Sequence, residues 1–403
     1  MKKGVWFFLF LILVPSLSAI WEEFQGDDVN SGKVNGTGYF NTRNIINTTD
    51  YLNGMNYQPI VGDTNSNGKN EIIIFSGNYL KIFDAELNLI DEKFVGKIQG
   101  QHTLFNADQD SFKEIIFISN ISSVSYFFVY EYSNSSFKHE FNFTISNGGF
   151  GSGISCTDLG STDICVFMDN ARYVHIVNLS SKIDNSYNTS AYNDTQEKIP
   201  AIGDLHNNGS KEAVFWFDAN VNNQYGLIVF DLINRQLDFA FNDGGIVDDI
   251  VKSSGTKFVL KGHPVLVDLN NDGKLEIAIS AFYDDVFNTN MVKDWYTELF
   301  VYNHSGGKLF SKCEESLSGD CNDASSTISR WEGTNPFVID TNNDGIDDIC
   351  FIKDKKLGNF FKNMTINCYN YSGSLLLDSE LAGSAITATV ADMDNERCYE
   401  DYR

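Results

Sequence analysis

At 403 residues, with 42% apolar and 14% aromatic side chains, the chain can bury a large core and is excluded from the disordered class. Its formal charge of −25 excludes a nucleic-acid partner, whose capture relies on cationic neutralisation of phosphates, and fits solubility or sites for hard cations. Five prolines against 32 Phe and 18 Tyr tilt the chain toward strands.

The chain opens MKKGVWFFLFLILVPSLSAIW: a basic start at Lys2 and Lys3, an apolar stretch from Val5 to Val14, and small residues at Ser16, Ser18 and Ala19. This is the order of a secretory signal peptide, expected over residues 1–19, with residues 20–403 forming one domain that is secreted or held at the cell surface. The apolar stretch is shorter than the roughly 20 residues that a span needs. No later segment reads as one, so a mature chain without a transmembrane span is expected. Asn-x-Ser/Thr sequons recur along the chain, at Asn35, Asn120, Asn142, Asn188, Asn303 and Asn363 among others. Seven cysteines with no CxxC pair fit an oxidising compartment better than a metal cage.

Seven related segments follow in order. They are PIVGDTNSNGKNEIIIFSG at 59–77, TLFNADQDSFKEIIFISN at 103–120, the shortened ISCTDLGSTDICVFMD at 154–169 and PAIGDLHNNGSKEAVFWFD at 200–218. Then come PVLVDLNNDGKLEIAISAFY at 264–283, PFVIDTNNDGIDDICFIKD at 336–354 and ATVADMDNERCYEDYR at 388–403. Each reads as apolar strand, polar loop, apolar strand, and the first six are followed by a looser strand–turn–strand element such as YLKIFDAELNLIDE. Four antiparallel strands per repeat predict an all-β fold, a β-propeller of seven four-stranded blades. Repeat seven stops just after its loop: either the segment WEEFQGDDVNSGKVNGTGYFNTRNII supplies its missing strands and closes the ring, the expectation favoured because closure removes open edges, or the chain is a truncated fragment.

Numbered from its first polar residue, the loop carries oxygen side chains at positions 1, 3, 5 and 9. These are Asp63, Asn65, Asn67 and Glu71 in repeat one, and Asn106, Asp108, Asp110 and Glu114 in repeat two. Repeat five has Asp268, Asn270, Asp272 and Glu276, and repeat six Asp340, Asn342, Asp344 and Asp348. Repeat seven has Asp392, Asp394, Glu396 and Glu400. Gly68, Gly273 and Gly345 fill position 6, where repeat two has Ser111. Alternate oxygens, a glycine for the reversal and a closing carboxylate suit calcium, which takes six to eight oxygen ligands; softer metals want His or Cys. Repeat four, with Asp204, His206, Asn208 and Glu212, is the poorest full-length copy. Tight-turn chemistry alone explains the Asn-Gly and Asp-Gly pairs but not the acid at position 9.

Repeat three lacks the acid pattern and instead flanks its loop with Cys156 and Cys165, which predicts a cross-strand disulfide that pins this turn. Cys350 with Cys368, and Cys313 with Cys321, are further candidate pairs.

The D-x-[DN]-x-[DN]-G-x-x-[DE] loop between apolar strands, clearest at Asp268–Glu276 and Asp340–Asp348, resembles that of the FG-GAP family. That family comprises the repeats of the integrin α-subunit amino-terminal propeller and VCBS-type relatives. The resemblance implies a seven-bladed propeller with calcium in the loop that joins the first two strands of several blades. Clear Phe-Gly and Gly-Ala-Pro signatures are missing, as are the integrin leg domains, so a receptor role does not carry over.

No H-E-x-x-H, G-x-S-x-G or Walker sequence occurs. Two functions remain. One is a secreted, calcium-stabilised module that binds a protein or carbohydrate ligand at the cell surface. The alternative is an extracellular propeller-fold polysaccharide-degrading enzyme, a lyase or hydrolase, using carboxylate pairs such as Asp248–Asp249 or Asp284–Asp285. The stretches around 219–262 and 284–335 read as loop insertions, and Tyr225, Phe282, Tyr283, Trp295, Tyr296 and Trp331, in or beside them, suit either sugar stacking or blade packing.

Overall fold

A computed structural model of the chain describes residues 59–381, together with 33–34 and 390–391. The breaks are 85–86, 109, 146–151, 190–198, 220–223, 243–244, 252–255, 261, 286–294, 314–328, 334–335, 343 and 358–359. The expected leader at 1–19, Cys321 and the seventh loop at 392–400 lie outside the described residues.

Each described repeat is an antiparallel sheet of two consecutive hairpins. In the first blade Ile60–Gly62, Glu71–Ser76, Tyr79–Phe83 and Leu89–Phe94 lie side by side in chain order. In the third the order is Ser155–Asp158, Asp163–Met168, Tyr173–Asn178 and Ile183–Asn188. Six such sheets, and no helix, occur among the described residues.

The first strands of successive sheets are neighbours. Ile60–Gly62 lies beside Thr103–Phe105, followed in turn by Ser155–Asp158, Ala201–Gly203 and Val265–Val267. Sheets stacked face to face with their first strands converging make a β-propeller. Beyond the sixth blade, Phe337–Ile339 lies beside both Lys33–Val34 and Val390–Ala391. Those two segments pair with each other, Lys33 opposite Val390 and Val34 opposite Ala391. The amino-terminal segment thus meets the start of repeat seven, though in parallel and over two residues rather than in the antiparallel ladder of a blade.

This stacking explains the unbroken apolar runs of the second strands, which are covered on both faces. In blade two, Ile115 and Phe117 pack toward blade one while Ile116 and Ile118 pack toward blade three. In blade three, Cys165 and Phe167 face back to blade two, and Ile164, Val166 and Met168 face blade four. Blade four divides in the same way, Ala213 and Phe215 on one side, Val214 and Trp216 on the other. Burial of each large side chain contributes about 1.5–3 kcal/mol relative to exposure.

Four of the five prolines, Pro59, Pro200, Pro264 and Pro336, stand one residue ahead of a first strand. Proline offers no N–H to a ladder, so it marks where pairing restarts. In blade five both Thr256–Leu260 and Val265–Val267 pair with Glu276–Asp285. In blade six both Ser329–Gly333 and Phe337–Ile339 pair with Asp348–Leu357.

The stretches 219–262 and 284–335 therefore extend the blades instead of forming loop insertions alone. Gln224–Asp231, Trp295–Tyr302 and Lys308–Cys313 are the expected strands that follow each loop, and to them the stretches add Ile246–Val251, Thr256–Leu260 and Ser329–Gly333. Their β-branched and aromatic content prolongs the ladders, with Tyr283 opposite Tyr296 and Asp284 opposite Trp295. The acid pairs Asp248–Asp249 and Asp284–Asp285 accordingly sit on strands, not in connections.

Candidate metal centres at the hairpin tips

In every full-length loop that is described, the ninth residue opens the second strand and pairs with the last residue of the first. Glu71 stands opposite Gly62, Glu114 opposite Phe105, Glu212 opposite Gly203, Glu276 opposite Val267 and Asp348 opposite Ile339. This register carries the acid under the turn, where it is 0–3% exposed. The first loop residue lies directly after the first strand, so the two ends of the loop face each other across the hairpin.

Four of the loops fold on one hydrogen-bond scheme. The first Asp accepts N–H bonds from positions 5 and 6: Asp63 from Asn67 (3.1 Å) and Gly68 (2.7 Å), and Asp204 from Asn208 (3.0 Å) and Gly209 (2.7 Å). Asp268 likewise accepts from Asp272 (3.1 Å) and Gly273 (2.8 Å), and Asp340 from Asp344 (3.2 Å) and Gly345 (2.8 Å). The side-chain carbonyls of Asn65, Asn270 and Asn342 accept the N–H at position 5 as well. Position 6 has to be left-handed for this reversal, and Gly345 holds φ 86° with open space beyond its Cα.

The ninth acid is anchored from position 2. Leu269 N–H donates to Glu276 Oε2 at 2.9 Å, Leu205 to Glu212 at 2.9 Å and Ala107 to Glu114 at 2.5 Å. In Glu114 and Glu276 the other oxygen, Oε1, is buried with no hydrogen-bond partner. Burial pushes these carboxyls up, reinforced by Asp108 and Asp110 beside Glu114 and by Asp272 and Asp268 beside Glu276. Glu114 rises to about 8 and Glu276 to about 7. Both sites are buried carboxylates among acids, with an oxygen to spare.

In repeat one that oxygen is used. Asn65 Nδ2 donates to Glu71 Oε1 at 2.8 Å, while Thr64 donates to Oε2 through both N–H and hydroxyl. Thr341 donates to Asp348 Oδ2 in the same double fashion. Burial still raises Glu71 and Asp348, opposed by these threonine bonds. In repeat four His206 turns its Nε2 to Asp238 Oδ2 at 2.6 Å, so position 3 is engaged with a residue outside the loop. These threonines and Asp238 lie outside the alternate-position pattern, so the loop motif gave no signal of them.

Repeat two departs from the scheme. Its first residue is an amide, and Asn106 Nδ2 donates to the Asp110 carbonyl at 2.7 Å. Asp108, Asp110 and Glu114 each place one carboxylate oxygen within 4.8 Å of the others, the one such acidic trio found among the described residues. Sequence pattern ranks repeats five and six first, yet the convergence of carboxylates is tightest in repeat two.

The donor set fits a hard cation. It offers only oxygens at the tips of blades two and five, and the orphaned Glu114 and Glu276 oxygens lack a positive partner. Asn106, Asp108, Asp110 and Glu114 would hold an ion in blade two, and Asp268, Asn270, Asp272 and Glu276 in blade five. A calcium ion there would supply charge neutralisation and a crosslink between the ends of the hairpin.

Blade three is held differently. Cys156 and Cys165 are directly paired residues joined by a disulfide, with Cα atoms 4.0 Å apart. Cys350 and Cys368 are likewise paired and bonded, across the second and third strands of blade six. Both bridges were expected from sequence. The tips of blades four and five also touch: Leu275 N–H donates to the Leu205 carbonyl at 3.2 Å.

The fold and loops define the chain as a β-propeller with acidic hairpin tips. No protein-family model matches the chain, and no curated protein matches it either. Among solved structures it is similar to BBS1N in complex with ARL6DN, at 10% identity and TM-score 0.44, covering 83% of this chain and 94% of that one. It is similar to the Dos1 propeller at 12% identity and TM-score 0.44, covering 89% and 84%. It is also similar to the exotype rhamnogalacturonan lyase YesX at 12% identity and TM-score 0.40, covering 83% and 62%. At such identities a likeness concerns fold alone, and the propeller assignment stands on the succession of sheets. Among the described residues no helix is long and apolar enough to cross a membrane.

Proposed function

We propose that the chain is a secreted, calcium-braced propeller that binds a protein or carbohydrate ligand at the cell surface through its loops. The observation that supports the calcium part is the buried, half-partnered carboxylate at the same turn of blades two and five. A divalent ion at each tip completes those carboxylates and ties the first two strands of the blade together. The FG-GAP-like reading rests on the loop pattern at Asp268–Glu276 and Asp340–Asp348. With the frame braced at the first hairpin of several blades, the remaining connections are free to vary as a recognition surface.

The experiment has two arms. Thermal melting in calcium and in EDTA tests the brace: a clear rise in Tm with calcium is expected, and superimposable curves would remove it. Screening on a glycan array beside digests of acidic and neutral polysaccharides tests the rest. Retention without product supports the binding module, whereas new reducing ends or unsaturated sugars would turn the reading to a polysaccharide-degrading enzyme.

A further inference from the structure

We infer that Asn134 and Asn142 are attachment sites for asparagine-linked oligosaccharides, and that these glycans cover the unpaired outer edge of blade two. The inference rests on the secretion part of the proposed function, because the modification needs entry into an export pathway.

Eight sequons have a described acceptor side chain, and the fold separates them. In six of them the acceptor amide is engaged within the protein. Asn120, Asn178, Asn208, Asn303 and Asn370 accept N–H bonds that shape their own turns, and Asn188 Nδ2 reaches the Tyr173 hydroxyl at 3.4 Å. Asn134, in Asn-Ser-Ser, and Asn142, in Asn-Phe-Thr, are exposed and their side chains make no hydrogen bond. Both belong to the same outer hairpin, Val124–Ser133 and Ser136–Thr144.

That hairpin has a reason to be covered. Ser136–Thr144 is the outermost strand of its sheet, nine residues long, with Phe137, Phe141 and Phe143 only half-buried and no strand beyond it among the described residues. A long, Phe-rich free edge invites pairing with another chain. Two milder defences are already present: Lys138, bonded to Glu131 and Glu140, and a bulge between His139 and Phe141. Asn134 stands at the turn, left-handed at φ 52°, and Asn142 lies six residues past the start of the strand. At ~3.3 Å per residue that separates the two acceptors by about 20 Å, so two bulky glycans would bracket the edge along its length.

The chemistry is a group transfer. Nδ2 of the asparagine bonds to the anomeric carbon of a lipid-pyrophosphate-linked oligosaccharide. The sugar–phosphate bond breaks, the lipid pyrophosphate leaves with the electron pair, and the amide nitrogen gives up one proton.

The test expresses the full chain in a eukaryotic secretory system, once with its own leader and once behind a surrogate leader. Glycosidase release in heavy-oxygen water then marks each occupied asparagine for peptide mass analysis. Labelled Asn134 and Asn142 are expected, with N134Q, S136A, N142Q and T144A each removing one glycan. An exported chain with both asparagines unlabelled would overturn the assignment. Labelling behind the surrogate leader alone would keep the assignment and instead defeat the secretion reading. Enzymatic deglycosylation of the folded protein should raise concentration-dependent association in sedimentation velocity, and an unchanged profile would remove the covering role.

Discussion

Glu276 accepts the Leu269 N–H through one carboxylate oxygen, at 2.9 Å, and leaves the other buried without a partner. The same half-use recurs at Glu114 beneath Ala107. A buried carboxylate with an idle oxygen costs stability without a cation and gains from one. Glu276→Gln keeps the acceptor for Leu269 and removes the charge, so it should leave the EDTA melting curve unchanged or raise it. The stabilisation by calcium should shrink. At ten times the dissociation constant each independent site adds about 1.4 kcal/mol, so E276Q with E114Q should cut the calcium-dependent gain by about 3 kcal/mol. Parallel denaturation curves in calcium and EDTA measure both effects.

Proton linkage gives a second expectation. Glu114 is pushed to about 8 and Glu276 to about 7, chiefly by burial. A carboxyl raised in this way favours the folded state below its ordinary pKa and loses that contribution as pH rises through 7 to 8. The calcium-free protein should therefore weaken from about pH 5 to about pH 8, while an ion holds the carboxylates in their charged form. The gap between calcium and EDTA should widen over that range, and binding near neutrality should release protons. Calorimetric titrations in two buffers of different ionisation heat read the release directly, and a pH-independent gap would contradict it.

The repeat, the strand order and two disulfides were legible because they depend on spacing. A ninth-position acid must meet the end of the first strand once the hairpin forms, and Cys156 must face Cys165 in that register. What spacing does not encode is which way an amide points. Asn65 gives its nitrogen to Glu71, Asn270 gives its nitrogen to Asp272 instead, and Asn106 donates where Asp268 accepts. Loops with nearly equal ligand counts therefore differ in whether they leave an acid oxygen unpaired. The extra strands Ile246–Val251, Thr256–Leu260 and Ser329–Gly333 were hidden for another reason: they are short, and Asp248, Asp249, Lys257, Arg330 and Glu332 interrupt their apolar residues.

Glycine at position 6 separates backbone strain from crowding. Gly345 holds φ 86° and has open space where a methyl group would sit, so G345A meets only the left-handed penalty, about 1 kcal/mol. Gly273 holds φ 82°, and a Cβ there would come within 2.4 Å of Asn207 Nδ2 on the tip of blade four. That amide ends an exposed side chain that can rotate aside, so G273A should exceed G345A by only a small margin, which N207A should remove. Asparagine, which tolerates the left-handed region, should be better accepted at 345 than alanine. Urea midpoints of the four variants order these effects, and equal losses at 273 and 345 would show that the blade-tip contact is not tight.

The disulfide of blade three allows a test of substitution between two kinds of brace. Cys156 and Cys165 close a loop with a sequence separation of 9, for which chain entropy gives about 2–3 kcal/mol. C156A with C165A should lose at least that much, since both side chains are buried between blades two and three. The loss should be the same in calcium and in EDTA, because the shortened loop has Gly160 at its third position and an apolar Val166 at its ninth. C350A with C368A removes a bridge between the second and third strands, which does not span the loop, and should be equally indifferent to calcium. A loss at Cys156–Cys165 that grew or shrank with calcium would mean that the blade-three turn is coupled to the cation loops, and the two braces would no longer be independent.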